Sequence, residues 1–198
     1  MFQLPFFRRD YPALEGALLR LRMPAPHDYP EWAALRGESR AFLEPWEPKW
    51  APDELSRASF RQRLRRGRYE YDRGTGVAFF LFEKAGGRLV GGITLSNIRY
   101  GVAQSAHVGY WMGERYAGQG LMLDALRQVI PFAFDRLRLH RLEAACIPSN
   151  KRSMRLLEKA GFQREGLLRS YLRINGVWQD HHLYALIAGE HQVQPRRG

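Results

Sequence analysis

The sequence predicts a single α+β domain, and three observations support this class. Three β-like stretches joined by short glycine turns lie between residues 77 and 113, which is typical of an antiparallel meander. Apolar residues then recur at helical spacing from Leu121 to Ala133. Near the end of the chain, the pair Asn175-Gly176 separates two more β-like stretches and predicts a hairpin. No internal repeat or low-complexity linker divides the chain.

The segments before the meander are predicted to form one strand and two helices. Leucine and arginine alternate over 18–22, which indicates a strand that ends before Pro24. A short helix is expected over 27–36. The stretch FLEPWEPKWAP at 42–52 is rich in proline and tryptophan, so we predict a loop with aromatic anchors. The arginine-rich stretch 56–68 is predicted to be the second helix.

The helix that begins at Leu121 precedes a strand, a short helix and the closing hairpin. Pro131 lies inside the helical pattern and lacks an N–H donor, so a kink is expected about one turn before it. The stretch HRLEAACI at 140–147 predicts a buried strand. Ser149 or Asn150 can then cap a helix over KRSMRLLEKA, which Gly161 ends.

Composition excludes several classes of protein. The chain has 198 residues, of which 45% are hydrophobic, and this fits one domain with a packed core. A single cysteine, Cys146, rules out an internal disulfide, and the scattered histidines predict no metal site. The start MFQLPFFRRDYP lacks the apolar core of a secretion signal, and the run VAFFLF is too short to span a membrane. We therefore expect a cytoplasmic protein that binds no metal and no membrane.

The chain is strongly basic, with 31 lysines and arginines against 20 acidic residues and a net charge of +11. This charge favours polyanionic partners such as RNA, a ribosome or a phosphate-rich cofactor. The densest stretch contains six arginines, which are Arg57, Arg61, Arg63, Arg65, Arg66 and Arg68. The segment from Arg57 to Arg68 is thus either an RNA-contacting surface or a solvated helix face whose arginine stems cover apolar groups.

Two glycines, Gly118 and Gly120, stand where the helix at Leu121 should begin. Glycine costs a helix about 1 kcal/mol relative to alanine, so their presence needs a reason. Either a tight turn requires positive φ, or a phosphate approaches the bare backbone at the helix N-terminus. Leu123 excludes a dinucleotide fingerprint, and the lysine of a P-loop is absent. The remaining pattern, Arg115-x-x-Gly118-x-Gly120, offers free backbone amides suited to a pyrophosphate.

Four stretches carry a resemblance to a known superfamily. GYWMGERYAGQGLMLDALR resembles the acetyl-CoA signature R/Q-x-x-G-x-G/A of the GNAT acetyltransferases, and IPSNKRSMRLLEKAGFQREG resembles their second conserved block. YLRINGVWQDHHLYALI and FLEPWEP are similar to the RimJ/RimL-type branch, and to its RimJ-like members most. Members of that branch acetylate the N-termini of ribosomal proteins. The resemblance runs from about Leu18 to Ile187, which implies one acetyltransferase domain over 1–198 with short tails.

The resemblance implies a mixed, mostly antiparallel sheet that is splayed in the middle and flanked by helices. Acetyl-CoA would lie in the V-shaped gap, with CoA as a product. The backbone of Tyr110, Trp111 and Met112 would pair with the pantetheine arm, which Asn150 would also contact. The residues implied to hold the pyrophosphate are Arg115, Gly118, Gln119, Gly120, Leu121 and Met122.

One position departs from the pattern of the superfamily. Relatives often carry lysine or arginine where this chain has Gln119, so a charged phosphate contact is missing. Lys151 and Arg152 could offset that loss at another cofactor phosphate. Ordinary surface charge near a helix start is the alternative explanation for this pair.

Acetyl transfer requires a base for the amine and an acid for the leaving thiolate, and the superfamily performs it without a covalent acyl-enzyme. His107 stands where many relatives carry a glutamate and is the predicted base, with Glu143 as a second candidate. Ser153 matches the serine of RimL-type enzymes and is the predicted acid, since the usual tyrosine position falls near Leu157. His107 could instead be satisfied by a neighbour. Ser153 could instead cap its helix or donate a hydrogen bond to the cofactor sulfur. Cys146 is predicted to be a buried structural residue and not a nucleophile.

The acceptor is expected to reach the site beside the proline- and tryptophan-rich loop. Glu44, Trp46 and Glu47 could receive a peptide N-terminus, with the carboxylates facing its ammonium group. A loop plugged by its own tryptophan is the alternative. An α-amine with a pKa of about 7.7 to 8 is far more often neutral than a lysine with a pKa of about 10.4, so an N-terminal acceptor needs only a modest base.

Three functions follow from these observations. The leading one is acetylation of a protein N-terminus, that of a ribosomal protein in particular. The second is acetylation of a small amine such as a polyamine, an amino acid or an antibiotic. The third is a basic acetyl-CoA-binding module that docks on a ribosome or RNA with little or no catalysis. A monomer or a homodimer is expected in each case.

Overall fold

The computed structural model describes residues 11–190, through which one eight-stranded sheet runs. The strands are β1 (Ala13–Glu15), β2 (Leu19–Arg22), β3 (Val77–Glu83), β4 (Leu89–Arg99), β5 (Ser105–Met112), β6 (Arg141–Cys146), β7 (Gln163–Ile174) and β8 (Val177–Ile187). Their spatial order is β1-β2-β3-β4-β5-β6-β8-β7. Every neighbouring pair is antiparallel except β5 with β6. The predicted tails outside 18–187 lie largely beyond the described residues.

Helices cover both faces of the sheet. They are α1 (Tyr29–Glu38), α2 (Arg40–Leu43), α3 (Arg57–Asp72), α4 (Leu121–Pro131) and α5 (Lys151–Lys159). Single 3₁₀ turns span Pro26–Asp28, Glu44–Trp46 and Glu114–Tyr116. Between residues 11 and 190, no helix combines the length and apolarity that crossing a bilayer would require.

The side chains of β3 divide the core into two layers. Phe79 packs edge-on against Phe132, just beyond α4, with 5.5 Å between ring centroids. The next residue, Phe80, faces Phe60 of α3 at 6.3 Å. Successive strand residues point to opposite faces, and all four rings are buried. One face of the sheet is therefore covered by α4 and the other by α1 and α3.

The sheet opens between β5 and β6. These strands pair in parallel over only three positions, and the last pair joins His107 to Glu143. Beyond it, β5 continues to Met112 bonded only to β4, while β6 continues to Cys146 bonded to β8. Among residues 11–190, no strand pairs with the other edge of Gly109–Met112. This gap is the splay that the sequence resemblance implied, and the predicted α+β class is confirmed.

The start of α4 is fixed against the opposite end of the sheet. Asp124 is buried, and its carboxylate accepts hydrogen bonds from the backbone N–H groups of Ala17 and Leu19, each at 3.1 Å. Gln128 donates to the same carboxylate at 3.0 Å. Since buried carboxylates are costly unless they are hydrogen-bonded, this cluster holds the glycine turn before α4 in a defined position.

Two segments differ from their sequence predictions. β1 was not predicted, because three residues carry too short a pattern to be distinguished from a loop. The segment predicted as a loop over 42–52 begins with the end of α2 and the 3₁₀ turn Glu44–Trp46. Pro45 is compatible with this turn because it stands in the first positions of a helix, where its missing N–H needs no partner.

The kink predicted before Pro131 stays a prediction, because the helical span alone does not measure a bend. α4 extends as far as Pro131, and a π-helical turn follows it over Phe132–Arg136. The N–H of Leu137 donates to the carbonyl of Phe132 at 3.1 Å, which closes that turn. Three successive side chains at the start of this wider turn are buried, which are Phe132, Ala133 and Phe134.

Candidate active site

A groove of about 1030 Å³ lies over the gap between β5 and β6. Its walls are the end of β5, the turn before α4, the α2 region and the first turns of α5. Most residues predicted for the cofactor, and two of those predicted for the acceptor, line this groove. They are Tyr110, Trp111, Met112, Gly118, Gly120, Leu121, Met122, Asn150, Ser153, Trp46 and Glu47.

Four predicted residues lie outside the lining of the groove, which are Arg115, Gln119, Glu44 and His107. Arg115 is exposed and forms an ion pair with Glu38 at 3.0 Å. The Gln119 amide donates to the carbonyl of Arg115 at 2.8 Å, so its side chain folds back on the turn. Glu44 forms an ion pair with Arg40 at 2.8 Å.

The glycine turn is compatible with both reasons considered from the sequence, which are a turn that needs positive φ and a backbone that a phosphate can approach. Gly118 and Gly120 each have a φ of +80°, a conformation that favours glycine. No heavy atom lies within 4 Å of the position that a Cβ would occupy at either residue, so both present open backbone to the groove. Gly120 is the N-cap of α4, where unpaired N–H groups and the helix dipole favour an anion.

A pair of hydroxyl groups joins the two walls of the groove. The Tyr110 hydroxyl lies 2.7 Å from Ser153 Oγ, and either can donate the hydrogen bond. Asn150 Oδ1 accepts from the backbone N–H of Ser153 at 3.1 Å and so caps α5, which leaves the serine hydroxyl free for Tyr110. Burial raises the pKa of Tyr110, although the bond to Ser153 acts in the opposite direction.

The side chain of Tyr110 was missed as a functional group at the sequence level, where only its backbone was assigned. The alternation of β5 does place Tyr110 on the face opposite to Trp111. Nothing local indicates, however, that this face meets α5.

Cys146 lies near Ser153 and is buried. Burial raises the pKa of its thiol, an effect that the nearby Ser153 hydroxyl partly offsets. Cys146 is not among the residues that line the groove. A buried thiol with a raised pKa is a poor nucleophile, which agrees with the structural role predicted for it.

His107 and Glu143, the two candidate bases, contact each other. His107 Nε2 lies 2.9 Å from Glu143 Oε2, and Nδ1 lies 3.4 Å from the Asn97 amide nitrogen. Arg141 Nε donates to the other oxygen of Glu143 at 2.7 Å. His107 is three residues from Tyr110, or about 10 Å along the strand, so it could reach a substrate in the groove only through water.

The charge of Glu47 is already neutralised. Its carboxylate accepts from both terminal nitrogens of Arg36, at 3.1 and 2.5 Å, and from Trp50 Nε1 at 2.8 Å. The backbone carbonyl of Glu47 accepts from the N–H of Asn175 at 2.8 Å, which ties the tip of the β7–β8 hairpin to this segment. Glu47 is therefore a bridge between elements rather than a free carboxylate facing an ammonium group.

A second cavity of about 410 Å³ adjoins the groove, and Glu47 and Trp111 line both. It lies between α3 and the sheet, with Phe60, Leu64 and Phe80 among its lining residues. The Trp111 indole occupies space that a side chain at Gly92 would fill, because a Cβ at Gly92 would overlap the indole ring. Gly92 thus permits the Trp111 indole to lie close against β4 where the two spaces meet.

Four cations of α5 line the groove, which are Lys151, Arg152, Arg155 and Lys159. Lys151 and Arg152 had been considered at the sequence level as partners for a cofactor phosphate. Arg155 and Lys159 were missed. Their i, i+4, i+8 spacing from Lys151 was the available signal, since such residues share one helix face.

A sheet opened between two parallel strands, with a glycine turn and a helix N-terminus facing the gap, defines an acyltransferase of the GNAT type. The family model described as an acetyltransferase (GNAT) domain matches residues 19–163, and the chain belongs to this family. The membership predicted from the sequence motifs is confirmed.

Similar proteins carry related names. The chain is 36% identical to the probable N-acetyltransferase YjcK of Bacillus subtilis, over 88% of this chain and 96% of that protein. It is 33% identical to the [ribosomal protein uS5]-alanine N-acetyltransferase of Escherichia coli, over 91% and 94%. The structure of Mycobacterium smegmatis RimJ in complex with CoA-disulfide superposes with a TM-score of 0.84 at 32% identity, over 91% and 88%.

Proposed function

We propose that this protein is an acetyl-CoA-dependent N-acetyltransferase that acetylates the N-terminal α-amine of a protein, and specifically of a ribosomal protein in the cytoplasm. The observation that carries the proposal is the unpaired edge of β5 facing the glycine turn across one groove. The name of the Escherichia coli protein supports acetyl transfer to a ribosomal protein, and the CoA-disulfide bound to Mycobacterium smegmatis RimJ supports a CoA thioester as the donor.

The groove has the features that acetyl-CoA would need. The edge of Tyr110–Met112 is free to pair with the amide groups of a pantetheine arm, as another strand would. The backbone at Gly118 and Gly120 is open to a pyrophosphate, and the four α5 cations can neutralise its charge and that of a ribose phosphate. These cations can replace the charged phosphate contact that relatives often make at the position of Gln119.

Two groups of side chains are proposed to move protons. Ser153 donates a proton to the leaving sulfur. The Tyr110 hydroxyl orients the Ser153 hydroxyl and donates a proton to it in turn. On the opposite face of β5, His107 accepts the ammonium proton through water, while Glu143 holds the imidazole in place. This division places the acid and the base on opposite faces of β5.

The acceptor N-terminus is proposed to enter where the groove and the smaller cavity meet, at Trp111. The lining of that cavity is mainly apolar, with the Arg36–Glu47 pair at one end. A small first side chain can be held there, while the cations of α5 disfavour a polyamine in the groove. This arrangement favours a peptide acceptor over a small polycation.

The test is acetylation by the purified protein of peptides that copy N-termini of ribosomal proteins, including uS5. Each peptide is paired with a copy whose α-amine is blocked and whose lysines are retained, and polyamines are tested in parallel. We expect thiol release and a mass shift only with the free α-amine. Turnover restricted to polyamines or to lysine side chains would contradict the acceptor, and binding of acetyl-CoA without any turnover would contradict catalysis.

A further inference from the structure

The two flanks of α3 differ in how their arginines are paired. On one flank, Arg63 forms an ion pair with Glu54, and Arg66 forms one with Glu70 at 2.7 Å. On the other flank, the exposed arginines form no ion pair with a carboxylate of residues 11–190. These residues, here called the arginine flank, are Arg57, Arg61, Arg65 and Arg68.

The arginine flank is a regular array held on a fixed helix. At 3.6 residues per turn, its four positions fall within about 80° of arc and extend about 17 Å along the axis. The helix cannot rotate away, because Phe60, Leu64 and Tyr71 on its inner face are buried in the core. Arg57 also lies over the ring of Tyr29 at 4.5 Å, which limits the movement of its guanidinium group.

We propose that the arginine flank binds the phosphate backbone of RNA. Neighbouring arginines at i and i+4 stand about 6 Å apart along the axis, a scale comparable with the repeat of phosphates along a strand. The guanidinium group is the side chain best suited to bidentate phosphate contacts, and the net charge of +11 adds long-range attraction. Asp72, beyond Arg68, is the one acidic residue at the end of this flank.

An anionic membrane fits the flank less well than RNA does. Helices that lie on membranes expose bulky apolar side chains beside their cations. Ala58 and Gln62 lie beside the flank, and the large apolar residues of α3 are buried, except for the exposed ring of Tyr69. Tyr69 remains exposed although the Arg73 guanidinium lies over its ring at 5.5 Å, and an exposed ring beside cations is a feature of RNA-binding surfaces.

The position of the arginine flank also connects it to the acceptor. Arg68 lines the smaller cavity that the acceptor is proposed to reach, so the arginine flank and this cavity share a residue. An acceptor carried on a ribosome would then be concentrated at the site by a second contact. This connection rests on the proposed function, whereas RNA binding itself does not.

The test compares two double variants that change the net charge equally. Arg61→Gln/Arg65→Gln removes half of the arginine flank, and Arg63→Gln/Arg66→Gln removes the two paired arginines of the other flank. Glutamine and arginine have similar helix propensities, so both variants are expected to fold. Binding to a fluorescent 20-nucleotide single-stranded RNA is measured from about 50 to 200 mM salt, with phosphatidylserine vesicles and polyglutamate as other polyanions.

We expect the logarithm of the wild-type RNA affinity to fall with the logarithm of salt at a slope of about −3, which four released counterions would give. Arg61→Gln/Arg65→Gln should reduce that slope by about 1.4 and Arg63→Gln/Arg66→Gln by much less. Equal losses in both variants, or tighter binding to vesicles or polyglutamate than to RNA, would overturn the proposal. Acetylation of a short free peptide should be unchanged in Arg61→Gln/Arg65→Gln, so failure of RNA binding and failure of catalysis are separable.

Discussion

The hydroxyl groups of Tyr110 and Ser153 lie 2.7 Å apart, although 43 residues separate them in the chain. Tyr110 comes from the splayed strand β5, and Ser153 comes from the first turn of α5. Their bond joins two walls of the groove. The superfamily often carries a tyrosine near the position of Leu157, which this chain lacks. Tyr110 brings a tyrosine hydroxyl to the same wall from another element, β5.

Replacing Tyr110 with phenylalanine should lower kcat about tenfold and leave the KM for acetyl-CoA nearly unchanged, since only the proton supply to Ser153 is lost. Ser153→Ala should lower kcat about a hundredfold, and the double variant should be no worse than Ser153→Ala. Because burial raises the pKa of Tyr110, its hydroxyl stays protonated at neutral pH, and the Tyr110→Phe defect should be constant from about pH 6 to 9.

The same variants can be tested with the selenium analogue of acetyl-CoA, whose selenolate leaves without needing a proton. Both defects should then largely disappear, whereas a merely structural role would leave them unchanged. Tyr100→Phe is the matched control, because Tyr100 lies outside the groove, and its activity should equal that of the wild type with both donors. Defects of the same size with sulfur and selenium would contradict the proton role.

Replacing His107 with glutamine should lower kcat about a hundredfold for a peptide with an ordinary α-amine, because the water that carries the proton loses its acceptor. Glu143→Gln should have a smaller effect, since it only loosens the orientation of the imidazole. Both are measured by thiol release at saturating donor, with His140→Gln at an exposed histidine as the control.

A second acceptor makes this prediction specific to proton removal. A peptide that begins with trifluoroalanine has an acidified α-ammonium group and is already neutral without a base. The His107→Gln defect should shrink with this acceptor. If the defect is equal for both peptides, His107 is a structural residue satisfied by Asn97 and Glu143.

Replacing Gly118 or Gly120 with alanine should raise the Kd for acetyl-CoA at least tenfold. Each residue has a φ of +80°, which costs a non-glycine residue about 1 to 2 kcal/mol, and relief of that strain would turn the amides away from the groove. Isothermal titration with acetyl-CoA measures the affinity, and thermal unfolding measures the stability.

Gly101→Ala provides the comparison for strain alone. Gly101 has a φ of +69° in the turn between β4 and β5, with open space around it and no part in the groove. Its replacement should lower stability to a similar extent and leave the Kd unchanged. A similar rise in Kd for Gly101→Ala would show that general loosening, rather than the cradle, weakens binding.

Replacing Gly92 with alanine should lower kcat/KM for the peptide acceptor about tenfold or more, because the added methyl group displaces the Trp111 indole from the junction of the two spaces. Tryptophan fluorescence should change in the same variant. Gly166→Ala, at a strand glycine with open space, should alter neither property. Unchanged acceptor kinetics in Gly92→Ala would argue that the peptide does not enter at Trp111.

Local patterns were enough to predict the class of this protein and most of its elements. The β-like runs of β3 to β5 with their glycine turns, the turn at Asn175-Gly176 and the cap at Asn150 depend on residues within a few positions of each other. Such short-range preferences can be read without knowing where the rest of the chain lies. The glycine turn belongs to this group too, because positive φ is a property of one residue at a time.

The pairing of side chains was decided by the tertiary structure. Glu47 looked available to an ammonium group until α1 placed Arg36 against it. The sequence assigned a role only to the backbone of Tyr110, whereas the structure packs α5 against its side chain and pairs its hydroxyl with Ser153. Six arginines between Arg57 and Arg68 looked alike until Glu54 and Glu70 neutralised two of them. Which surfaces meet depends on the packing of the whole core, so the chain by itself determined the class of chemistry, and only the fold decided which charges and hydroxyl groups are free to perform it.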